Sequence, residues 1–186
     1  MRQKILDSNT KYNDNVSALL HKLSEYSEEM LNRTPENGGW SAIQTAWHLL
    51  LVEELSLKYT QKKLHYGGTF EKVGFLVYWR SFLLQLFLVL PFKFKAPANS
   101  SGESLPAHST LSELGERWAK ARMDWANLLT QLPDDLLNKS VYKHPRVGRI
   151  GWLQMLSFFS THFDRHLKQI RKALVPSLAI TITFLL

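Results

Sequence analysis

Trp152-Leu153-Gln154-Met155-Leu156-Ser157-Phe158-Phe159-Ser160-Thr161-His162-Phe163-Asp164-Arg165-His166-Leu167-Lys168-Gln169-Ile170 decides how the chain is read. Trp152, Met155, Phe159, His162, Phe163, His166 and Ile170 recur at spacings of three and four, the pattern of one apolar face on an α-helix. The spacing predicts a helix from about Ile150 to Leu174, ended before Pro176. Two histidines lie on that face one turn apart. Their neighbours Phe158, Phe159 and Phe163 place the rings at an apolar wall rather than in open water.

Three more segments carry the same periodicity. One runs from about Asn13 to Asn32 on Val16, Leu19, Leu20, Leu23, Tyr26, Met30 and Leu31, and is broken by Arg33-Thr34-Pro35-Glu36-Asn37-Gly38-Gly39. A second starts at Ser41, with Gln44 completing a capping box, and reaches about Leu64 before Gly67-Gly68. A third spans about Thr110 to Gln131 on Leu111, Leu114, Trp118, Ala121, Trp125, Leu128 and Leu132, and Pro133 ends it. Four amphipathic helices without a convincing hairpin signal predict an all-α protein, a four-helix bundle formed by residues 1–186 as a single domain. The short first link makes helices one and two antiparallel neighbours. The long link from Tyr66 to Ser109 permits a crossover, so helices two and three are free to run parallel.

That link is itself divided. The apolar insertion, residues 71–92, includes Phe75-Leu76-Val77-Tyr78-Trp79-Arg80 and Phe82-Leu83-Leu84-Gln85-Leu86-Phe87-Leu88-Val89-Leu90. A membrane span needs about 20 predominantly apolar residues with few charges. Arg80 near the centre and Gln85 after it leave too short a run, so no membrane span is expected. The segment reads as an extra helix packed across the bundle, with an exposed helix contacting lipid or a partner as the alternative. Lys93 to Ser109 reads as loop. The hydrophobic tail, residues 175–186, has no charge and is too short to span. It packs on the body or pairs with another chain, which would make a homodimer, and its residues favour neither.

The chain of 186 residues holds 23 Lys and Arg against 16 Asp and Glu, a formal net charge of +7. That balance favours anionic partners. It does not by itself mean nucleic acid. Lys143, His144, Arg146, Arg149, Arg165, Lys168, Arg171 and Lys172 are the best support for such binding, but no nucleic-acid motif is present, and cations near the end of a helix are also what its dipole favours. No nucleic-acid partner is expected. The absence of cysteine excludes a thiolate metal site and a cysteine nucleophile. Met1 to Asp7 carries no apolar signal region, so a cytoplasmic location is the expectation.

His162 and His166 at i, i+4 sit about 5–6 Å apart at Cβ, a chelating arrangement. His48 shares a helix face with Val52, Leu55 and Tyr59. It lies about 10 Å from the start of its helix, and His162 and His166 lie roughly 12–18 Å from the end of theirs. Antiparallel helices two and four therefore bring the three rings to one level, whereas parallel helices offset them by on the order of 10 Å. Two arrangements stay open on these residues alone: a shared metal ion, or core histidines each satisfied by backbone or water.

Gly39-Trp40-Ser41-Ala42-Ile43-Gln44-Thr45-Ala46-Trp47-His48-Leu49, Gly151-Trp152-Leu153 and Thr161-His162-Phe163-Asp164-Arg165-His166-Leu167-Lys168-Gln169-Ile170 together resemble the DinB-like (YfiT-type) superfamily. The resemblance covers about Val16 to Leu174. It implies a four-helix bundle in down-up-up-down order and a divalent metal held by His48, His162 and His166. Imidazole ligands suit zinc, nickel, iron and copper, with zinc and nickel foremost. The resemblance also suggests a thiol S-transferase whose small-molecule substrates are a low-molecular-weight thiol and an electrophile. The alternatives are a metal-dependent hydrolase and a non-catalytic stress-response module. Three protein ligands leave a metal position open, as catalysis needs.

No catalytic group is identifiable. Glu53, Glu54 and Asp164 are near in sequence, but Asp164 lies about 200° around the helix from His162 and faces solvent. Gln44 and Gln169 are candidates to support the ligands from behind. Arg149, Arg165 and Lys168 flank the ligand helix and are candidates to receive an anionic substrate. The apolar insertion and the tail fall outside the resemblance.

Overall fold

A computed structural model describes residues 1–36, 38–67, 70–90 and 100–175. The described chain is predominantly helical: α1 (Arg2–Leu23), α2 (Glu28–Asn32), α3 (Ala42–His65), α4 (Phe75–Val89), α5 (Leu111–Thr130) and α6 (Trp152–Leu174), with a small antiparallel pair, β1 (Tyr142–His144) and β2 (Gly148–Ile150). The long helices start where their sequences supply caps. The Ser41 hydroxyl accepts from the Gln44 amide at 3.2 Å, and the Gln44 side chain accepts from the Ser41 amide at 3.1 Å. Thr110 and Glu113 make the same reciprocal pair at the start of α5.

α1 differs from the expected helix at both ends. It begins at Arg2, and it stops at Leu23 instead of running on to Asn32. The buried stripe extends backwards through Tyr12, Asn9 and Ile5. Asn9 conceals that extension in the sequence because it is polar, yet its side chain is used inside, accepting from Arg122. At the other end the Ser24 hydroxyl donates to the His21 carbonyl, and Ser27 then caps α2 as a separate turn.

The strand pair is a second difference, since no hairpin is expected from the sequence. Strands of three residues are too short to show an alternating pattern. The turn between them relies on Gly148 at φ +77°, a left-handed conformation that other residues rarely adopt.

α3 and α1 each pack against both α5 and α6, so the four long helices surround one core. Trp118, Trp125, Trp152, Tyr12 and Phe159 fill it and are almost fully buried. Within this apolar interior sits an ion pair. Glu53 accepts from Tyr12 Oη at 2.8 Å and Trp118 Nε1 at 2.8 Å, and pairs with Arg122 Nη1 at 2.7 Å. Arg122 donates onward to Asn13 and Asn9 and lies over the Tyr12 ring. Every polar atom of the carboxylate is thereby engaged, as burial demands.

The apolar insertion does form a helix, α4, packed on α6 and β2. No described helix is long and apolar enough to cross a membrane. Residues 91–92 of the insertion, 93–99 of the expected loop and 176–186 of the expected tail lie outside the described residues.

Candidate metal centre

His48 projects from the second turn of α3, set by the Ser41 cap, and His162 and His166 project from α6 one turn apart. The packing of α3 on α6 brings the rings together. His162 Nε2 lies 3.3 Å from His48 Nε2 and 3.0 Å from His166 Nε2, and ligand atoms of all three residues fall within 4.8 Å of one another. Tetrahedral nitrogen ligands at about 2.0–2.1 Å from a shared ion stand about 3.3–3.4 Å apart, and octahedral neighbours about 2.9 Å. The group can therefore hold a metal ion.

The far sides of the rings decide their protonation. His48 Nδ1 donates to the Ser100 carbonyl at 2.6 Å, and His166 Nδ1 donates to Gln169 Oε1 at 2.7 Å. Those bonds assign the proton to Nδ1 and leave the Nε2 lone pairs facing inward. Lone pairs at 3.0–3.3 Å repel one another unless a cation or a shared proton lies between them. A divalent ion fits this donor set.

Burial favours the neutral rings further. It pushes His48 down, against the opposing hydrogen bond to Ser100. Burial also lowers His166 to about 3, and takes His162 well below its ordinary value, with the charges of His166 and His48 adding to the effect. Neutral imidazole is the form that binds metal. Phe158 stacks on His162 at 5.2 Å and Trp40 packs on His48 at 5.0 Å, which restricts both rings.

The rings open onto a cavity of about 1760 Å³. Its lining has apolar members, among them Val52, Tyr59, Leu84 and Leu88. It also has basic members, among them Arg33, Lys143, Arg146 and Lys172. Arg165 also lines it, with Nη1 donating to the carbonyls of Leu88 and Leu90, both at 2.9 Å.

The other candidates are placed unevenly. Gln169 touches a histidine, whereas Gln44 holds Ser41 and donates to the Pro106 carbonyl at 3.2 Å. Arg149 and Lys168 lie outside the cavity lining. Glu53 faces Arg122, Glu54 forms a two-bond pair with Arg117 at 2.6 and 2.7 Å, and Asp164 is exposed. Among the described residues of the lining the one carboxylate is Glu36, which is solvent-exposed. Ser100, Arg33, Arg146 and Glu36 sit on connections between helices, where no spacing rule announces them.

The model of the DinB superfamily matches residues 12–170. No curated protein and no solved structure matches the chain.

Proposed function

Because the chain belongs to the DinB superfamily, we propose that it is a divalent-metal-dependent enzyme that transfers a low-molecular-weight thiol to an electrophilic substrate. The observation that carries the reading is the convergence of three Nε2 atoms at the edge of a cavity lined by both basic and apolar residues. His48, His162 and His166 are its metal ligands, with zinc or nickel as the ion. When bound, such an ion supplies Lewis acidity that lowers the pKa of a thiol and steadies the resulting anion.

The chain's own residues do the rest. Ser100 and Gln169 hold two of the rings in the ligating tautomer. Lys143, Arg146, Arg33 and Lys172 draw in a carboxylate-bearing thiol, and the wall of Leu84, Leu88 and Tyr59 receives an apolar electrophile. In the transfer the S–H proton leaves to water, a bond forms from sulfur to the electrophilic atom, and the leaving group departs with its electron pair. A cytoplasmic location, where such thiols stay reduced, suits this chemistry.

The architecture proposed to support it is a single four-helix-bundle domain in down-up-up-down order. Arg2 at the start of α1 reaches the Thr130 carbonyl at the end of α5, and Asn32 meets Ser109 before α5 begins. Gln44 reaches Pro106 and Glu54 pairs with Arg117, so α3 and α5 progress together. His48 meets His166, whereas Ser56, two turns later on α3, meets Tyr142 ahead of α6, so those two helices run oppositely.

The test is to load the protein with zinc or nickel, supply several biological thiols and an electrophilic acceptor, and follow thiol consumption. Metal-dependent turnover lost in His48→Ala supports the reading. Ester or amide hydrolysis without thiol replaces it with hydrolysis, and a well-occupied site with no turnover in either assay points to a binding module.

A further inference from the structure

α4 turns Val77, Ser81 and Leu84 inward and leaves most of its large side chains outside. Phe75 is 80% exposed, Val89 70% and Leu76 63%, with Trp79 and Phe82 more than half exposed and stacked on each other at 5.8 Å. These residues run along a helix of 15 residues, about 22 Å long. An apolar surface that continuous marks a contact site. Tyr78 and Trp79 are the residue types that favour the boundary between water and lipid.

The charge close to the patch in sequence is mostly positive. Lys72 precedes α4, and Arg80 is exposed on it. β2 packs against α4, and on the same hairpin Lys143 in β1 and Arg146 in the turn are exposed. The sequence has no Asp or Glu from Lys72 to Gly102, and none between Asp135 and Asp164. Glu71 is the one acid adjoining these stretches at the start of α4. A second copy docked by two-fold symmetry would set this basic rim against itself. An anionic bilayer neutralises it while its interface accepts the aromatic face.

We propose that α4 is a membrane-surface helix. It lies in the headgroup region of an anionic lipid bilayer, with Arg80, Lys143 and Arg146 on the lipid phosphates and Phe75, Trp79 and Phe82 among the upper acyl chains. This binding does not depend on the metal chemistry proposed above. It does place the bilayer beside the cavity, because α4 supplies Leu84, Phe87 and Leu88 to the cavity wall.

The test is co-sedimentation of the full chain with vesicles of phosphatidylcholine alone and of phosphatidylcholine with phosphatidylserine. The anionic vesicles should bind at least about tenfold more tightly, and added salt should weaken the binding. Phe75→Ser/Trp79→Ser should lower the affinity about tenfold or more. Lys143→Gln/Arg146→Gln should lower it about fivefold per charge. The substituted side chains are exposed, and far-UV circular dichroism checks that both variants stay folded. Equal binding to both vesicle types, or anionic binding unchanged in both variants, overturns the proposal. So does a dimer in sedimentation equilibrium that Phe75→Ser/Trp79→Ser dissociates, which would assign the face to a second copy.

Discussion

His162 Nε2 stands 3.0 Å from His166 Nε2, across one turn of α6, with Phe158 stacked on the first ring and Gln169 bonded to the second. Two neutral imidazoles meeting at that distance need a cation or a shared proton between them, and a divalent ion supplies the first. Removing either ring should therefore remove the ion. His162→Ala and His166→Ala are each expected to purify with little metal by elemental analysis, beside near-stoichiometric metal in the parent protein. Equal content in all three would refute the site.

Gln169 makes a subtler case. Its carbonyl oxygen accepts from His166 Nδ1 at 2.7 Å and so fixes the tautomer. Gln169→Ala should keep the fold and weaken metal affinity by about 10–100-fold, the usual cost of losing a partner behind a ligand. Competition with a chromophoric chelator measures this. An unchanged affinity would mean that α6 packing alone orients the ring.

The Glu53–Arg122 pair joins α3 to α5 through the centre of the core, at 2.7 Å with both side chains buried. Glu53→Gln leaves the Arg122 charge without its counterion and should destabilise the protein by about 3–5 kcal/mol in urea unfolding. Glu53→Leu/Arg122→Met should recover part of that loss, since no buried charge remains. It should not recover all, because Tyr12 Oη and Trp118 Nε1 lose their shared acceptor.

His144 supplies a pH dependence outside the metal group. Burial, aided by the nearby Arg146 charge, lowers it from 6.5 to about 4. The folded ring thus stays neutral in a range where the unfolded one takes up a proton. The stabilisation is complete above pH 6.5 and is lost as pH falls from 6.5 towards 4, by up to about 3 kcal/mol. The slope of unfolding free energy against pH in that window should be shallower in His144→Gln. Parallel slopes would show that other groups dominate acid unfolding.

The parts of this molecule legible in its sequence are those determined within one helix. Ser41 and Gln44 announce α3, and the stripe from Trp152 to Ile170 announces α6 with two histidines one turn apart, whereas the joining of His48 to them is implied by the family resemblance. What depends on distant chain is not legible. Asn9 looks like an interruption until Arg122 is beside it. The hairpin is too short for a pattern and is held by packing on α4. The Ser100 carbonyl behind His48 comes from a connection 52 residues away. Arg149 precedes α6 and Lys168 lies on it, yet the cations that line the cavity are others, with Arg33 and Arg146 coming from connections and Arg165 and Lys172 from α6.

Arg165 is the residue whose two readings diverge most usefully. As a cavity cation it serves substrate binding, but its Nη1 is also committed to the carbonyls of Leu88 and Leu90 at the end of α4, each at 2.9 Å. Leu88 is in the last helical turn, where no intrahelical donor is available to its carbonyl, and Leu90 is the residue that caps the helix. Hydrogen bonds from a charged donor contribute about 1.5–3 kcal/mol each, so their loss should loosen that turn by more than tenfold in opening equilibrium. Arg165→Ala should therefore speed hydrogen exchange of the amides between Leu84 and Leu90, while the α6 histidines keep their metal. If exchange there is unchanged and only thiol KM rises, Arg165 acts on substrate alone. If metal content falls as well, the end of α4 supports the histidine cluster itself, through the cavity wall that Leu84 and Leu88 share with His162.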